Sequence, residues 1–447
     1  MRVLVLGSGV SGRSAYDYLL SNGYLPEFVE ERFLTQNKLI NSEDLDRLLT
    51  GLSFIVISPG ISLDINLVRE AKKRKIKIIG EMELGTRNLT AQIVAITGTN
   101  GKTTTTSLIY YLLKDFYKKS YVGGNIGVPV TKFSNSVKSD DVVVLECSSF
   151  QLETVKTFKP KIAIILNVTP DHLNRHKTMK NYYNAKTKIT KKQDENDYLI
   201  INADSDYLMK NLPKTKAKIF YFSTQKIVKG CYVKSGCIYC NIEGKEEKLI
   251  STKSIKLVGE HNLSNVLAAC LAVRILTNNK KLICGVSSFC GVSHRLEFVK
   301  TINSVQFYND SKATNIGSTI VACKSFKNRI NLILGGSDKG YSFDELFANL
   351  PKNIENIAIF GQTKQKIAFS AKKYGYQNFQ IFSSLKDATE YCFKVSRQND
   401  IVLLSPACAS FDCFSNYKER GNVFKKIVEE IAESEKKSSK IFVESKD

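Results

Sequence analysis

A lysine and a threonine stand directly behind a glycine turn in the stretch Gln92 to Thr106, QIVAITGTNGKTTTT. The apolar run Ile93, Val94, Ala95 and Ile96 has the composition of a buried strand. Gly98 and Gly101 permit a tight loop whose backbone N–H groups turn inward on an anion. Leu108, Ile109, Leu112, Leu113 and Phe116, spaced three and four apart, predict a helix opening at Lys102 and Thr103. Unpaired N–H donors and the helix dipole favour phosphate at such an N-terminus. Lys102 supplies a point charge for β- and γ-phosphates, and the Thr103 hydroxyl suits Mg²⁺. The loop is shorter than the full G-x-x-x-x-G-K-[ST] pattern, so a purely structural glycine turn stands as the alternative.

Further residues suited to chemistry sit at the ends of other apolar runs. The run Asp141 to Leu145 ends on Glu146, where a phosphate-loop enzyme commonly places an acidic aid to Mg²⁺. Ile162 to Asn167 leads to Thr169, Pro170, Asp171 and His172, one of four histidines in the chain. A histidine just beyond a strand end suits a ligand or orienting role. Asn262 and Asn265 fall on one face of a helix that begins within GEHNLSNVLAAC. His294-Arg295 and the polar stretch NDSKATN (Asn309 to Asn315) are rich in groups able to hold a nucleotide or carboxylates.

These residues need rigid elements to position them, and 447 residues suffice for about three domains. The expected fold class is α/β: a Rossmann-like N-terminal domain over 1–87, a central phosphate-loop ATPase domain over 88–291, and a Rossmann-like C-terminal domain over 292–447. A charged tail from about residue 434 is expected to fray. In the first domain Arg2 to Leu6 reads as a strand, followed by Gly7, Gly9 and Gly12 in G-x-G-x-x-G spacing and a helix through Ala15, Tyr18, Leu19 and Leu20. A second strand, Glu27 to Val29, ends in Glu30, Glu31 and Arg32. This is the dinucleotide fingerprint, and taken alone it points to an NAD-dependent enzyme. A third strand, Phe54 to Ile57, runs into Ser58, Pro59 and Gly60. Segments 195–258 read as strands and turns without a chemical signature. In the last domain, strands near Asn331 to Leu334, Ile357 to Phe360 and Ile401 to Leu404 end in the turns GGSDKG, FGQT and SPACAS.

Composition narrows the class. With 43% hydrophobic and 24% charged residues the chain is globular, and no apolar run reaches the roughly 18 residues of a membrane helix. MRVLVLGSGVSG passes from a strand into a glycine turn and does not read as a secretion signal, so a cytoplasmic location is expected. The eleven cysteines are expected as reduced thiols. Cys231, Cys237 and Cys240 lack a second C-x-x-C and a nearby histidine, which argues against zinc. The net charge of +22 comes from scattered lysines without an aromatic-interleaved basic repeat, so it reads as a solvated surface that favours anionic small molecules, with no nucleic acid or membrane partner expected.

The motifs GTNGKT, ECSSFQLE, NVTPDHLNRH, GEHNLSN, HRLE, NDSKATN and SPACASFDCFSNYKERG occur in an order that resembles the Mur ligase family from Gly7 to about Phe424. The last motif is most similar to the D-glutamate-adding members, and the DNPR signature typical of the diaminopimelate-adding members is absent from the last domain. The resemblance implies an ATP-dependent ligase that joins an amino acid to a nucleotide-linked muramoyl peptide, with ATP and Mg²⁺ as cofactors, two ions expected and Mn²⁺ as a substitute. It implies UDP-N-acetylmuramoyl-L-alanine and D-glutamate as substrates and a monomer as the working form. In this family the first domain holds UDP and not NAD.

The resemblance also implies roles for single residues. Gly98, Thr99, Asn100, Gly101, Lys102, Thr103 and Thr104 would hold the ATP phosphates, Asn262 and Asn265 would meet adenine, Arg295 would bridge phosphates, and Asp310 would meet the ribose. Thr103 and Glu146 would hold one metal. His172 and Lys186, the latter as its carbamate, would hold a second, because an ordinary lysine is a cation and cannot ligate Mg²⁺. Val10, Ser11, Glu30, Glu31, Arg32, Ser58, Gly60 and Asn125 match the UDP-precursor loops. Lys312, Thr314, Lys339, Ser410 and Tyr417 match positions that collect the carboxylates of D-glutamate. Three departures stand out: Glu30-Glu31-Arg32 replaces a frequent Asp-Thr-Arg, Thr103 a frequent Ser, and Tyr417 a frequent Phe.

Overall fold

The computed structural model describes residues 1–35, 40–242 and 244–444. Among them, strands form three sheets of four, nine and six members. The chain divides into two compact units, Met1–Ile255 with His261–Phe289, and Lys256–Glu260 with Cys290–Asp447. The first two sheets lie in the first unit and the third in the second. The fold is α/β.

The first sheet comprises β1 (Arg2–Leu6), β2 (Leu25–Phe28), β3 (Leu52–Ile57) and β4 (Ile78–Gly80) in the order β2-β1-β3-β4, all parallel. β1 reads as a continuous apolar run because its last four residues are fully buried between helices on both faces. The second strand lies two residues earlier than its expected start at Glu27, and it is the edge of the sheet. Its exposed Leu25 and Phe28 gave the sequence no clear apolar boundary. The helix Val10–Ser21 packs so closely on β1 that a Cβ on Gly12 would stand 1.7 Å from the Gly7 carbonyl oxygen.

The central sheet contains β5 (Gln92–Thr97), β6 (Ser120–Gly124), β7 (Val142–Glu146), β8 (Ile162–Ile165), β9 (Tyr198–Asn202), β10 (Lys218–Ser223), β11 (Gly230–Lys234), β12 (Cys237–Ile242) and β13 (Lys245–Ser251). Their order is β13-β12-β11-β10-β9-β8-β5-β7-β6. Pairing is parallel from β6 through β11 and antiparallel along β11-β12-β13. β5 therefore lies between β7 and β8, so the loops after all three strands open at the same sheet edge. The helix Lys102–Leu113 follows β5, and it stops three residues before Phe116. Phe116 is exposed and meets Tyr117 edge-on instead of continuing the apolar stripe.

The short helix Glu81–Thr86 joins the two sheets of the first unit with two buried carboxylates. Glu81 accepts from Thr131 N at 2.7 Å and Thr131 Oγ1 at 2.8 Å. Glu83 accepts from the backbone N–H groups of Lys156, Thr157 and Phe158 at 2.9 to 3.2 Å and from the Thr157 hydroxyl at 2.7 Å. Each carboxylate thus receives hydrogen bonds in place of the water it lost. Burial pushes the Glu81 carboxyl above its ordinary range.

The third sheet comprises β14 (Glu297–Ile302), β15 (Val305–Asn309), β16 (Ile330–Gly335), β17 (Ile354–Phe360), β18 (Phe379–Ile381) and β19 (Ile401–Leu404), ordered β14-β15-β19-β16-β17-β18. All pairs are parallel except β14 with β15. The last helix, Tyr417–Glu444, crosses the stretch from 434 that the sequence marks as a fraying tail; residues 445–447 lie outside the described residues.

Candidate active site

The phosphate-loop candidate leaves β5 at Thr97 and enters its helix through Gly101. Gly98 and Gly101 hold φ of 155° and 84°, where a side chain is strained. A Cβ on Gly101 would also stand 2.2 Å from Asn265 Oδ1, so the loop and the helix Glu260–Thr277 meet at a position only glycine fills. Asn265 Nδ2 donates to Asn262 Oδ1 at 3.2 Å, which fixes the two amides as a pair beside the loop.

Thr103 and Glu146 are brought together although 43 residues separate them: the hydroxyl donates to Oε2 at 2.8 Å. Glu146 Oε1 accepts from Asn125 Nδ2 at 2.8 Å, and Asn125 N donates to the Glu146 carbonyl at 2.8 Å. Asn125, matched in sequence to the UDP-precursor loops, therefore stands against the carboxylate at the end of β7. Lys102 Nζ donates to Gly98 O at 2.9 Å and Thr99 O at 2.8 Å. Lys186 Nζ reaches the same Gly98 O at 2.7 Å and lies over the Tyr182 ring at 4.4 Å. Lys186 is 1% exposed. Burial, reinforced by the Lys102 charge and opposed by Asp171, lowers its pKa to about 7. Lys186 is thus a buried amine with a substantial neutral fraction at neutral pH.

His172 caps the turn Leu173–His176 in the left-handed conformation with φ of 52°. Its half-exposed ring packs against Phe150 at 4.9 Å, and Asp171 Oδ2 lies 3.5 Å from Nε2. Phe150 in turn stacks on buried His176, whose Nε2 is 3.0 Å from Ser149 Oγ. Among the described residues no three His, Cys, Asp or Glu side chains gather as a metal cluster. The donor set at the loop is nevertheless hard and oxygen-rich, a carboxylate with a hydroxyl turned onto it, and this chemistry fits Mg²⁺. A carbamate on Lys186 would add oxygen donors of the same kind.

The residues matched in sequence to the UDP-precursor loops, Asn125 apart, lie at the ends of β1, β2 and β3. Val10 is 75% exposed at the start of its helix, next to Ser11, and Ser58 Oγ donates to Gly7 O at 3.4 Å beside exposed Gly60. Glu30 and Arg32 pair at 2.9 Å, with Glu31 exposed between them.

In the second unit, Asp310 is buried. It accepts from Ser405 Oγ at 2.9 Å and Leu296 N at 3.2 Å, and burial raises its pKa to about 7 against those two hydrogen bonds. Arg295 is exposed in the turn before β14. Lys312 Nζ lies 5.7 Å from the Tyr417 ring centroid, Lys339 Nζ donates to Thr314 O at 3.0 Å, and Ser410 is buried. Asn262 and Asn265 belong to the first unit, Arg295 and Asp310 to the second.

Two organising residues escaped the sequence reading. Asn167 holds the first half of the candidate phosphate loop, and Arg420 is fully buried against the turn that follows β19. Arg420 donates to Ser311 Oγ and O, Cys408 O, Ala409 O and Gly335 O at 2.8 to 3.4 Å, with burial drawing its pKa down to about 10. In sequence it is one cation within the motif SPACASFDCFSNYKERG.

Family models for the Mur ligase middle domain and the Mur ligase glutamate ligase domain match residues 96–273 and 294–408. The chain belongs to the Mur ligase family. This Mur ligase is 42% identical over 446 residues to the UDP-N-acetylmuramoylalanine--D-glutamate ligase of a Thermoanaerobacter species, covering 96% of this chain and 98% of the relative. The enzyme of the same name from Halalkalibacterium halodurans is 40% identical, with 96% and 98% covered. Among solved structures, the Mur ligase resembles MurF ligase from Thermotoga maritima in complex with ADP, with a TM-score of 0.56, 18% identity and 89% and 95% of the two chains covered. UDP-N-acetylmuramate-alanine ligase from the same organism gives 0.58 and 17%, covering 96% and 99%. At these identities the two structures speak to the fold. No helix among the described residues is long and apolar enough to cross a membrane.

Proposed function

We propose that this Mur ligase joins D-glutamate to UDP-N-acetylmuramoyl-L-alanine, splitting ATP to ADP and phosphate, as a step of peptidoglycan precursor synthesis in the cytoplasm. The relatives that match nearly the whole chain carry the name of this reaction. The observation that carries the chemistry is the convergence on one loop of Lys102, Lys186, Thr103 and Glu146.

A carboxylate is a poor acyl donor because its leaving group would be oxide. Attack of the alanyl carboxylate oxygen on the γ-phosphorus gives an acyl phosphate and ADP. The amine of D-glutamate then attacks the acyl carbon, and phosphate leaves from the tetrahedral intermediate. Each step moves negative charge between oxygens, so positioned cations dominate catalysis. Lys102 meets the ATP phosphates, His172 orients the reacting carboxylate, and the amides of Asn262 and Asn265 receive adenine. Thr103 and Glu146 would hold one Mg²⁺, and His172 with carbamylated Lys186 a second, which would supply screening of the phosphate charge; Mn²⁺ would fit the same donors. The neutral amine of buried Lys186 is the form that adds CO₂. Arg295 would meet phosphates and Asp310 the ribose, and Lys312, Thr314, Lys339, Ser410 and Tyr417 would collect the two carboxylates of D-glutamate. Val10, Ser11, Glu30, Glu31, Arg32, Ser58, Gly60 and Asn125 hold the UDP precursor. Three domains over 1–87, 88–291 and 292–447 of a monomer are the arrangement proposed for this reaction.

The deciding experiment is phosphate release from ATP with UDP-N-acetylmuramoyl-L-alanine, comparing D-glutamate with L-glutamate, D-aspartate, L-lysine and meso-diaminopimelate. Release that requires both the precursor and D-glutamate is expected. Release with another amino acid alone overturns the specificity, and release with none overturns the reaction.

A further inference from the structure

Beyond Thr97 the ladder between β5 and β8 runs on irregularly, with Leu166 N donating to Thr97 O and Thr99 N to Asn167 O, both at 3.0 Å. The Asn167 side chain then takes over. Its Oδ1 accepts from Thr99 N at 3.1 Å and from Asn100 N at 2.8 Å, while its Nδ2 donates to Asn100 O at 3.1 Å. Two residues on, Thr169 N donates to Thr99 Oγ1 at 3.1 Å, and Tyr182 Oη lies 3.2 Å from the same hydroxyl. A Cβ on Gly98 would come within 3.0 Å of Leu166 Cβ, so the loop lies directly on this segment.

These bonds occupy two N–H groups that a loop of this type would otherwise turn toward phosphate. We propose that Asn167 is the positioning residue of the phosphate loop: it pins Gly98 to Asn100, so that Thr99 and Asn100 frame the cradle and phosphate is met from Gly101 onward. This rests on the reading of the loop as the ATP site. An asparagine suits the task because its amide carries an acceptor and a donor side by side, as a peptide group does, and so extends the strand pairing for one more residue. The pinned half-loop has a second use. Its Gly98 and Thr99 carbonyls are the acceptors of Lys102 Nζ, and the Gly98 carbonyl also accepts from Lys186 Nζ. Asn167 thereby sets where both lysine nitrogens stand without touching either.

The test uses the full-length enzyme with Asn167→Ala and Asn167→Ser, reading the Kd of MgATP and the KM of each substrate. Loss of three side-chain hydrogen bonds to the loop is expected to raise the ATP Kd and KM of Asn167→Ala about tenfold. The KM values for UDP-N-acetylmuramoyl-L-alanine and D-glutamate are expected to stay near wild type. Asn167→Ser leaves room for a water to the same N–H groups and is expected to fall between; it decides the matter alone if the alanine variant does not fold. An unchanged ATP Kd, or an equal rise in all three KM values, overturns the proposal. Wild-type protein that binds ATP but releases no phosphate with D-glutamate would overturn the reaction assigned above, while the Kd comparison still decides the role of Asn167.

Discussion

The Thr103 hydroxyl donates to Glu146 Oε2 at 2.8 Å, and Asn125 holds the other oxygen of the same carboxylate. A glutamine at 146 keeps the shape but loses the charge, and it sets an NH₂ against either the hydroxyl or the Asn125 amide. The hydroxyl can turn to accept, or the Asn125 amide can flip to offer its Oδ1, so the loss is chiefly that of the charge. Glu146→Gln is therefore expected to raise the Mg²⁺ concentration for half-maximal phosphate release at least about tenfold. A metal titration at saturating ATP checks it, and an unshifted titration would remove Glu146 from the metal site.

Lys102 bonds two carbonyls of its own loop, at 2.9 and 2.8 Å, within the span of one helical turn. Replacing it with alanine leaves the loop glycines and the Asn167 contacts in place and removes a charge expected to meet the transferring phosphoryl group. Lys102→Ala is expected to lower turnover by at least about 10²-fold, the scale of a lost transition-state contact. Steady-state kinetics with an unchanged unfolding midpoint would show that the loss is chemical.

Lys186 links site chemistry to stability. Its folded pKa of about 7 lies below the unfolded value near 10.5. Between the two values the unfolded chain binds more protons, so this lysine destabilises the fold fully below pH 7, and the penalty fades as pH rises toward 10.5. In CO₂-free buffer, Lys186→Met is expected to unfold at a higher temperature than wild type at pH 6, with the gap narrowing as pH rises. Activity of the wild type is expected to fall as pH drops through 7, because the ammonium cannot form a carbamate. Lys186→Ala is expected to regain part of its activity with added short carboxylates, and no rescue in folded protein would count against the carbamate.

Arg420 fills five acceptors with no carboxylate among its hydrogen-bond partners, so a methionine there leaves buried carbonyls and the Ser311 hydroxyl without their donor. Arg420→Met is expected to cost about 3 kcal/mol or more of unfolding free energy. Because Ser311, Cys408 and Ala409 flank Lys312 and Ser410, a milder Arg420→Lys is expected to raise the KM for D-glutamate more than that for ATP. Urea unfolding and initial rates separate the two effects, and equal KM changes would make Arg420 a packing residue alone.

The strand, glycine turn and helix from Gln92 to Leu113 were legible because their signals are local: Gly98, Gly101, Lys102 and Thr103 lie within six residues, and an apolar strand and a helix flank them. Glu146 was legible for a related reason, since a buried parallel strand is a continuous apolar run and the polar residue that ends it marks the sheet edge. Boundaries failed where burial and pattern parted. Phe116 keeps helical spacing yet lies beyond the helix, and β2 begins at Leu25 because an edge strand leaves apolar side chains in solvent.

By itself the sequence determined which local pieces form, where glycines allow the chain to turn on itself, and which side chains stand at strand ends. Only the tertiary structure decided what those side chains meet. Asn167 is one polar residue after an apolar run until β8 comes beside β5 and places its amide on a loop 67 residues earlier in the chain. Lys186 and Arg420 lose their water only when the chain packs around them. Burial, a property of the assembled sheets and helices, gives one a neutral amine near pH 7 and makes the other the centre of a buried network of carbonyls and a hydroxyl.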